Sequence, residues 1–121
     1  MKLILAIGLG GFLGAVGRHL LGGWLQGLSH GRFPWGTLAV NVLGCFLIGL
    51  LATQITRFPE AWRLFVVTGL LGGFTTFSTF GIDSVHLAKG DFPVLGLANI
   101  AANLILGLSA VALGMFLTRS S

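Results

Sequence analysis

Four hydroxyl side chains, three phenylalanines and two glycines stand together in Gly72-Gly73-Phe74-Thr75-Thr76-Phe77-Ser78-Thr79-Phe80. Glycine loosens a helix, and each hydroxyl can donate or accept a hydrogen bond. Phe74, Phe77 and Phe80 recur every third residue, so neighbours in the row share a helix face. Two chemistries follow from these types. An aromatic ring is positive at its edge, so Phe77 and Phe80 turned edge-on to a lane would stabilise a passing anion without trapping it as a fixed cation would. The same pair also reads as ordinary core packing. If Gly72 to Thr76 unwinds, its backbone carbonyls become oxygen donors that suit Na⁺ better than a transition metal, and two chains meeting at a two-fold axis would converge those oxygens on one central ion.

Polar residues elsewhere in apolar surroundings extend the anion reading. Asn41 is central to the apolar run Gly36-Thr37-Leu38-Ala39-Val40-Asn41-Val42-Leu43-Gly44, and Asn99 and Asn103 lie one turn apart, with Gly107 continuing their face. A single buried amide can serve only to hold two helices together. Three are more than that task needs; with Ser78 and Thr79 they would form a polar track whose N–H and O–H groups replace the water around an anion. Arg18 either snorkels to the surface or sits in a vestibule, where low-dielectric walls focus its field and concentrate anions. His19, His30 and His86 have no metal-ligand spacing and read as interfacial residues.

The elements that must position these groups are membrane spans. Hydrophobic residues make up 55% of the 121-residue chain and charged residues only 8%, with a mean hydropathy of +0.96, against roughly a quarter charged in a soluble domain. Apolar stretches at about 3–24, 35–53, 62–86 and 92–117 are each long enough to cross a bilayer of roughly 30 Å. Polar, proline-bearing connections separate them: Gln26 to Pro34, Gln54 to Glu60, and Lys89 to Pro93. The chain closes on the polar tail Thr118-Arg119-Ser120-Ser121. This is one transmembrane domain over residues 1–121, without a soluble domain. Lys2 before an apolar stretch and the small residues Ala15-Val16-Gly17 also allow a signal-peptide reading of the first span. The formal charge of +4 comes from cations scattered singly at span edges, which suits lipid headgroups better than nucleic acid. Cys45 is the only cysteine, which excludes an intramolecular disulfide.

Gly8, Gly10 and Gly14 imitate a dinucleotide-binding turn, but no acid occurs before Glu60 to hold a ribose. Gly10-x-x-x-Gly14 reads better as a seam where two helix backbones approach. Four spans place Lys2, Arg57, Arg63 and Arg119 on one side, and Arg32, Lys89 and Arg18 on the other. So even a division sets no firm orientation. Two copies inserted in opposite senses could then pair about an axis in the membrane plane.

The motifs Gly14-Ala15-x-x-Arg18, Gly36-Thr37-Leu38-x-Val40-Asn41-x-x-Gly44-x-Phe46-x-x-Gly49 and Gly69-x-x-Gly72-Gly73-x-Thr75-Thr76-Phe77-Ser78-Thr79-Phe80 resemble the small bacterial fluoride channels of the Fluc or CrcB family. The likeness covers nearly the whole chain. It implies an all-α integral membrane protein of the cell (inner) membrane, with four transmembrane helices per subunit and the third broken mid-membrane, assembled as an antiparallel dual-topology homodimer. It further implies two fluoride pores and a structural, non-transported Na⁺. On this resemblance Phe77, Phe80 and Asn41 line the pore, Asn99 and Asn103 belong to a polar track, and the Gly72 and Thr75 carbonyls hold Na⁺. His19 replaces a frequent tyrosine and Asp83 a frequent glutamate, so no role carries over to those two positions.

The main rival is a small dual-topology exporter of cationic drugs, which would need a membrane-embedded carboxylate to exchange protons; the first two spans have none. A non-transporting helper subunit would explain the glycines but not the clustered asparagines, hydroxyls and phenylalanines. Nothing supports an enzyme: no nucleophile and base are identifiable as a pair, and the three acids are far apart in the sequence.

Overall fold

The computed structural model describes residues 1–119, so Ser120 and Ser121 of the tail lie outside the described residues. Helix α1 spans Lys2–Gly27 and α2 spans Trp35–Ala52. Helix α3 covers residues 60–74 and has three parts: an α-helical turn Glu60–Arg63, a π-helical stretch Leu64–Leu71, and a last turn Gly72–Phe74. Helix α4 spans Phe77–Lys89 and α5 spans Pro93–Thr118. Four helical segments are long and apolar enough to cross a membrane: Lys2–Gly27, Trp35–Ala52, Glu60–Lys89 and Pro93–Thr118.

Local chemistry explains the boundaries. Pro34 ends the first connection, and Gln26 reaches across it: its Oε1 accepts from the Gly36 amide at 3.0 Å and its Nε2 donates to the Phe33 carbonyl at 3.1 Å. One side chain of α1 thus satisfies an orphan amide at the start of α2. Pro93 opens α5, where a missing N–H costs nothing. Glu60 lies in the first turn of α3 and Lys89 in the last turn of α4, each with the sign that the helix dipole favours.

Helices α1 and α3 pack together, α2 packs on α5, and α4 lies against α5. Very few side chains are enclosed; the buried apolar set is Leu38, Val40, Leu71, Phe80 and Ala110. Phe12, Leu20, Trp24, Leu97 and Phe116 are among the many large apolar residues that point outward. Lipid tails can cover such a surface, whereas in water it would aggregate.

Glycine does the close packing. Gly10 and Gly14 are buried against α3. A Cβ at Gly14 would stand 2.8 Å from the Phe74 amide nitrogen and closer still to the Leu70 carbonyl. Small residues let backbones approach this far, and dispersion between them replaces the hydrophobic effect that lipid does not supply. The π-helical stretch lies on this seam, with its Gly69, and Gly73 in the turn that follows, close against the backbone of α1.

Gly14→Ala should therefore destabilise the folded protein in detergent by about 1–3 kcal/mol through overpacking. Gly8→Ala, where a Cβ would meet nothing within 4 Å, should be neutral or stabilising by up to about 1 kcal/mol. Thermal loss of the folded size-exclusion peak measures both.

Candidate functional site

Helical backbone stops at Phe74 and resumes at Phe77. Between them Thr75 (φ −83°, ψ 157°) and Thr76 (φ −149°, ψ 116°) are extended. A chain that leaves and re-enters helix this way strands carbonyls on one side and amides on the other. In an unbroken helix the Thr76 amide would serve the Gly72 carbonyl. Here it donates to Asn41 Oδ1 at 2.8 Å, and Asn41 Nδ2 returns a hydrogen bond to the Thr76 carbonyl at 3.1 Å. One side-chain amide thus pairs both backbone groups of Thr76, much as a neighbouring strand would.

The Thr79 amide, which a helix would direct to the Thr75 carbonyl, donates instead to Thr76 Oγ1 at 3.3 Å. This N-cap starts α4. The Thr75 carbonyl accepts from Arg18 Nη1 at 3.3 Å. Gly72 and Thr75 are therefore two positions whose carbonyls have lost their helical donors. Gly44 makes room for the excursion, since any Cβ there would collide with Thr75 Cγ2.

A directed hydrogen-bond chain runs on from Asn41. Its Nδ2 also donates to Asn103 Oδ1 at 3.2 Å; Asn103 Nδ2 donates to the Asn99 carbonyl at 2.9 Å and to Asn99 Oδ1 at 3.0 Å. Asn99 Nδ2 then donates to Ser84 Oγ at 2.9 Å, and Ser84 Oγ to the Phe80 carbonyl at 2.7 Å. Asn41 and Asn103 thus commit both amide hydrogens inside the protein. An anion reaching either must displace one of these bonds. Thr79 is different: its Oγ1 accepts from Thr76 Oγ1 at 3.0 Å and keeps its own proton to give.

Two cavities flank the extended segment. The larger, about 390 Å³, has walls that include Asn41, Asn103, Gly72, Thr75, Phe77 and Phe80. The smaller, about 240 Å³, has walls that include Arg18, His19, Thr37 and Thr79. Thr76 belongs to both walls. The Phe77 and Phe80 rings lie 5.4 Å apart at 56°; Phe80 is buried, whereas Phe77 is 81% exposed.

The structure thus gathers Asn41, Asn103, Phe77, Phe80, Gly72 and Thr75 around one cavity and places Arg18 and Thr79 at the other. Ser78 is exposed beside them, within 3.5 Å of Thr76 Oγ1. Asn99 is 0% exposed and lies in neither wall. Among the described residues, no group of His, Cys, Asp and Glu gathers to hold a metal ion. Asp83 accepts from the Thr37 hydroxyl at 3.2 Å, in the first turn of α2.

Two roles at this site go beyond the reading by type and spacing, which placed Thr76 in the stretch expected to unwind but gave it no capping role and did not single out Ser84. Thr76 is the pivot of the extended segment; its signal is a hydroxyl three residues before Thr79, at capping distance. Ser84 carries the chain to Phe80, and its only signal is its place one turn beyond Phe80.

Known proteins resemble this chain over nearly its whole length. The family model for "CrcB-like protein, Camphor Resistance (CrcB)" matches residues 5–115. A protein of Agrobacterium fabrum named "Fluoride-specific ion channel FluC" is 46% identical, over 97% of this chain and 96% of its own length. Its namesake in Rhizobium meliloti is 46% identical over 99% of this chain and 98% of its own. A third, from a Sulfurovum species, is 46% identical over 97% of this chain and 94% of its own.

Thr76→Val keeps the shape and the extended backbone preference but removes the cap. It should cost about 1 kcal/mol of stability, with faster hydrogen exchange at the Thr79 amide, while Thr76→Ser should retain wild-type protection. Exchange followed by mass spectrometry or NMR in detergent distinguishes the two.

Proposed function

The chain belongs to the CrcB-like family and is a multi-pass membrane protein, and from that premise we propose that it is a fluoride-selective channel that lets the anion leave the cytoplasm passively. One observation carries the reading: an aromatic pair, two asparagines and the extended Thr75–Thr76 backbone converge on a single cavity. The name of the relatives, fluoride-specific ion channel, supports the choice of ion.

The physical logic is as follows. Hydrogen fluoride crosses membranes as a neutral acid and ionises in the less acidic cytosol, which traps fluoride. An inside-negative potential drives the anion out by roughly 2.3 kcal/mol per charge per 100 mV, so neither ATP nor a proton-coupling acid is required. Fluoride holds its water tightly, and a selective lane must offer donors in exchange. Ser78 and Thr79 supply hydroxyls, Asn41 and Asn103 supply amides once an internal bond is exchanged, and the ring edges of Phe77 and Phe80 supply weak positive potential that does not trap. Arg18 attracts anions to the mouth.

The lane is completed by a second copy. Phe77 projects outward on an apolar surface, and Gly72 and Thr75 offer only a pair of carbonyls per chain. Two chains in antiparallel orientation, each inserted either way in the inner membrane, would bring four such oxygens together and enclose two pores. Those carbonyls, hard and neutral, fit Na⁺; Gly72 has lost its helical donor, and Thr75 retains a lone pair beyond the one facing Arg18. A bound Na⁺ would offset the dipoles that the break leaves inside the membrane. In this arrangement the third helix is broken at mid-depth.

The rival reading, a dual-topology exporter of cationic drugs, would have to rest on Asp83. Asp83 is the one acid within the four membrane-capable windows that lies away from a helix terminus, and it is bonded to Thr37 near the start of α2.

Purified protein in liposomes should release trapped fluoride far faster than trapped chloride, as read by ion-selective electrodes after a potassium ionophore is added. Equal rates would overturn selectivity, and no release of either anion would overturn the channel reading.

A further inference from the structure

The hydrogen bonds around Phe80 form a closed circuit. It leaves the N-cap of α4 at Thr76, passes through Asn41, Asn103 and Asn99, and returns to α4 at Ser84, whose hydroxyl donates one turn back along the same helix to the Phe80 carbonyl. Every step from Asn41 to Phe80 points the same way, from an N–H or O–H to the next oxygen. Reversing any one amide would set donor against donor or acceptor against acceptor, so each group fixes the next. Ser84 is 5% exposed and Asn99 is 0% exposed. Neither can touch an ion in the cavity where the Phe80 ring stands. Ser84 Oγ is the shortest link of the circuit, at 2.7 Å to the Phe80 carbonyl.

We propose that Ser84 and Asn99 are positioning residues that act on conduction through Phe80. The circuit ties α4 to its neighbours on either side of the aromatic pair, at Thr76 through Asn41 of α2 and at Ser84 through Asn99 of α5, and the Ser84 hydroxyl in turn holds the Phe80 carbonyl. The first turn of α4 carries both aromatic rings. Its rotation about the helix axis decides whether ring edges or ring faces meet the lane, and a ring face is negative where an edge is positive. Without the Ser84–Asn99 link, α4 keeps its packing against α5 but loses the polar registration that selects this rotation. The role assigned to Asn99 is thus to orient the lane from behind, not to solvate the ion. This inference rests on the channel reading above.

The test compares Ser84→Ala, Ser84→Thr and Asn99→Ala with the wild type in fluoride-loaded liposomes, with flux normalised to folded protein by size exclusion. Ser84→Ala should lower fluoride flux about tenfold, as loss of one buried polar link allows. Ser84→Thr, which keeps the hydroxyl, should stay within about twofold of the wild type, and Ser84→Ala combined with Asn99→Ala should fall no more than about twofold below the single variants, since both act in one series. Wild-type flux per folded molecule in Ser84→Ala, even with lowered thermal stability, would reduce the pair to packing and overturn the proposal. So would a Ser84→Thr variant as slow as Ser84→Ala, which would make volume and not the hydroxyl responsible. If Asn99→Ala does not assemble, the two Ser84 variants decide alone. A wild type that passes no fluoride at all would instead defeat the channel reading itself.

Discussion

Asn41 and the backbone of Thr76 make the interaction on which the rest of the structure depends. A buried extended residue between two helices leaves an amide and a carbonyl without helical partners, and each such group left unsatisfied costs on the order of 1–3 kcal/mol or more. Total folding stability is only about 5–15 kcal/mol, so two such groups left bare would consume much of it. A single asparagine side chain, with one acceptor and two donor hydrogens, meets both groups and still has a hydrogen for Asn103. No other uncharged side chain of this size except glutamine offers that set, and glutamine is one methylene longer. The same bond that stabilises the extended segment takes the Thr76 amide from the Gly72 carbonyl.

From that exchange the site acquires two characters on one short segment. On the carbonyl side, Gly72 and Thr75 offer oxygens to a positive partner, and Arg18 already takes one of them from within the subunit. On the amide and hydroxyl side, Thr76, Ser78 and Thr79 begin α4, where the helix dipole and the unused donors favour negative charge. Opposite charges are thereby welcomed a few residues apart, without an ionisable side chain in the extended segment. Gly44 permits this by leaving space for Thr75, so the sequence constraint on the site extends to a residue with no side chain at all.

Much of this was legible in residue types. The four membrane-capable segments follow from hydropathy and proline-bearing connections, and the structure extends their expected ends by a few residues, to Gly27 in α1 and Lys89 in α4. Gly10-x-x-x-Gly14 announced a close seam and is one, because small residues have little else to do in lipid. Of the residues expected at the lane, Asn41, Asn103, Phe77 and Phe80 line one cavity, Thr79 lines the other, and Ser78 and Asn99 line neither. Hydrogen-bond direction was not legible. Whether an amide presents its N–H to a lane or to a neighbour depends on what the fold sets beside it: the Thr76 backbone and Asn103 for Asn41, Asn99 for Asn103, and Ser84 for Asn99. Ser84 looked like any serine in an apolar helix. The π-helical stretch Leu64–Leu71 carries no local signature in residue type; what distinguishes it in the structure is the close approach of Gly10 of α1.

Asn41→Asp bears most directly on the central claim, that the amide pairing of Asn41 with Thr76 shapes a lane for fluoride. The substitution is nearly isosteric and still accepts from the Thr76 amide, yet it can no longer donate as Asn41 does to both Thr76 and Asn103, and a charged carboxylate would also repel an anion. Fluoride efflux from liposomes bearing this variant, with assembly verified by size exclusion, should fall to the rate of protein-free liposomes. Efflux at the wild-type rate would contradict the claim.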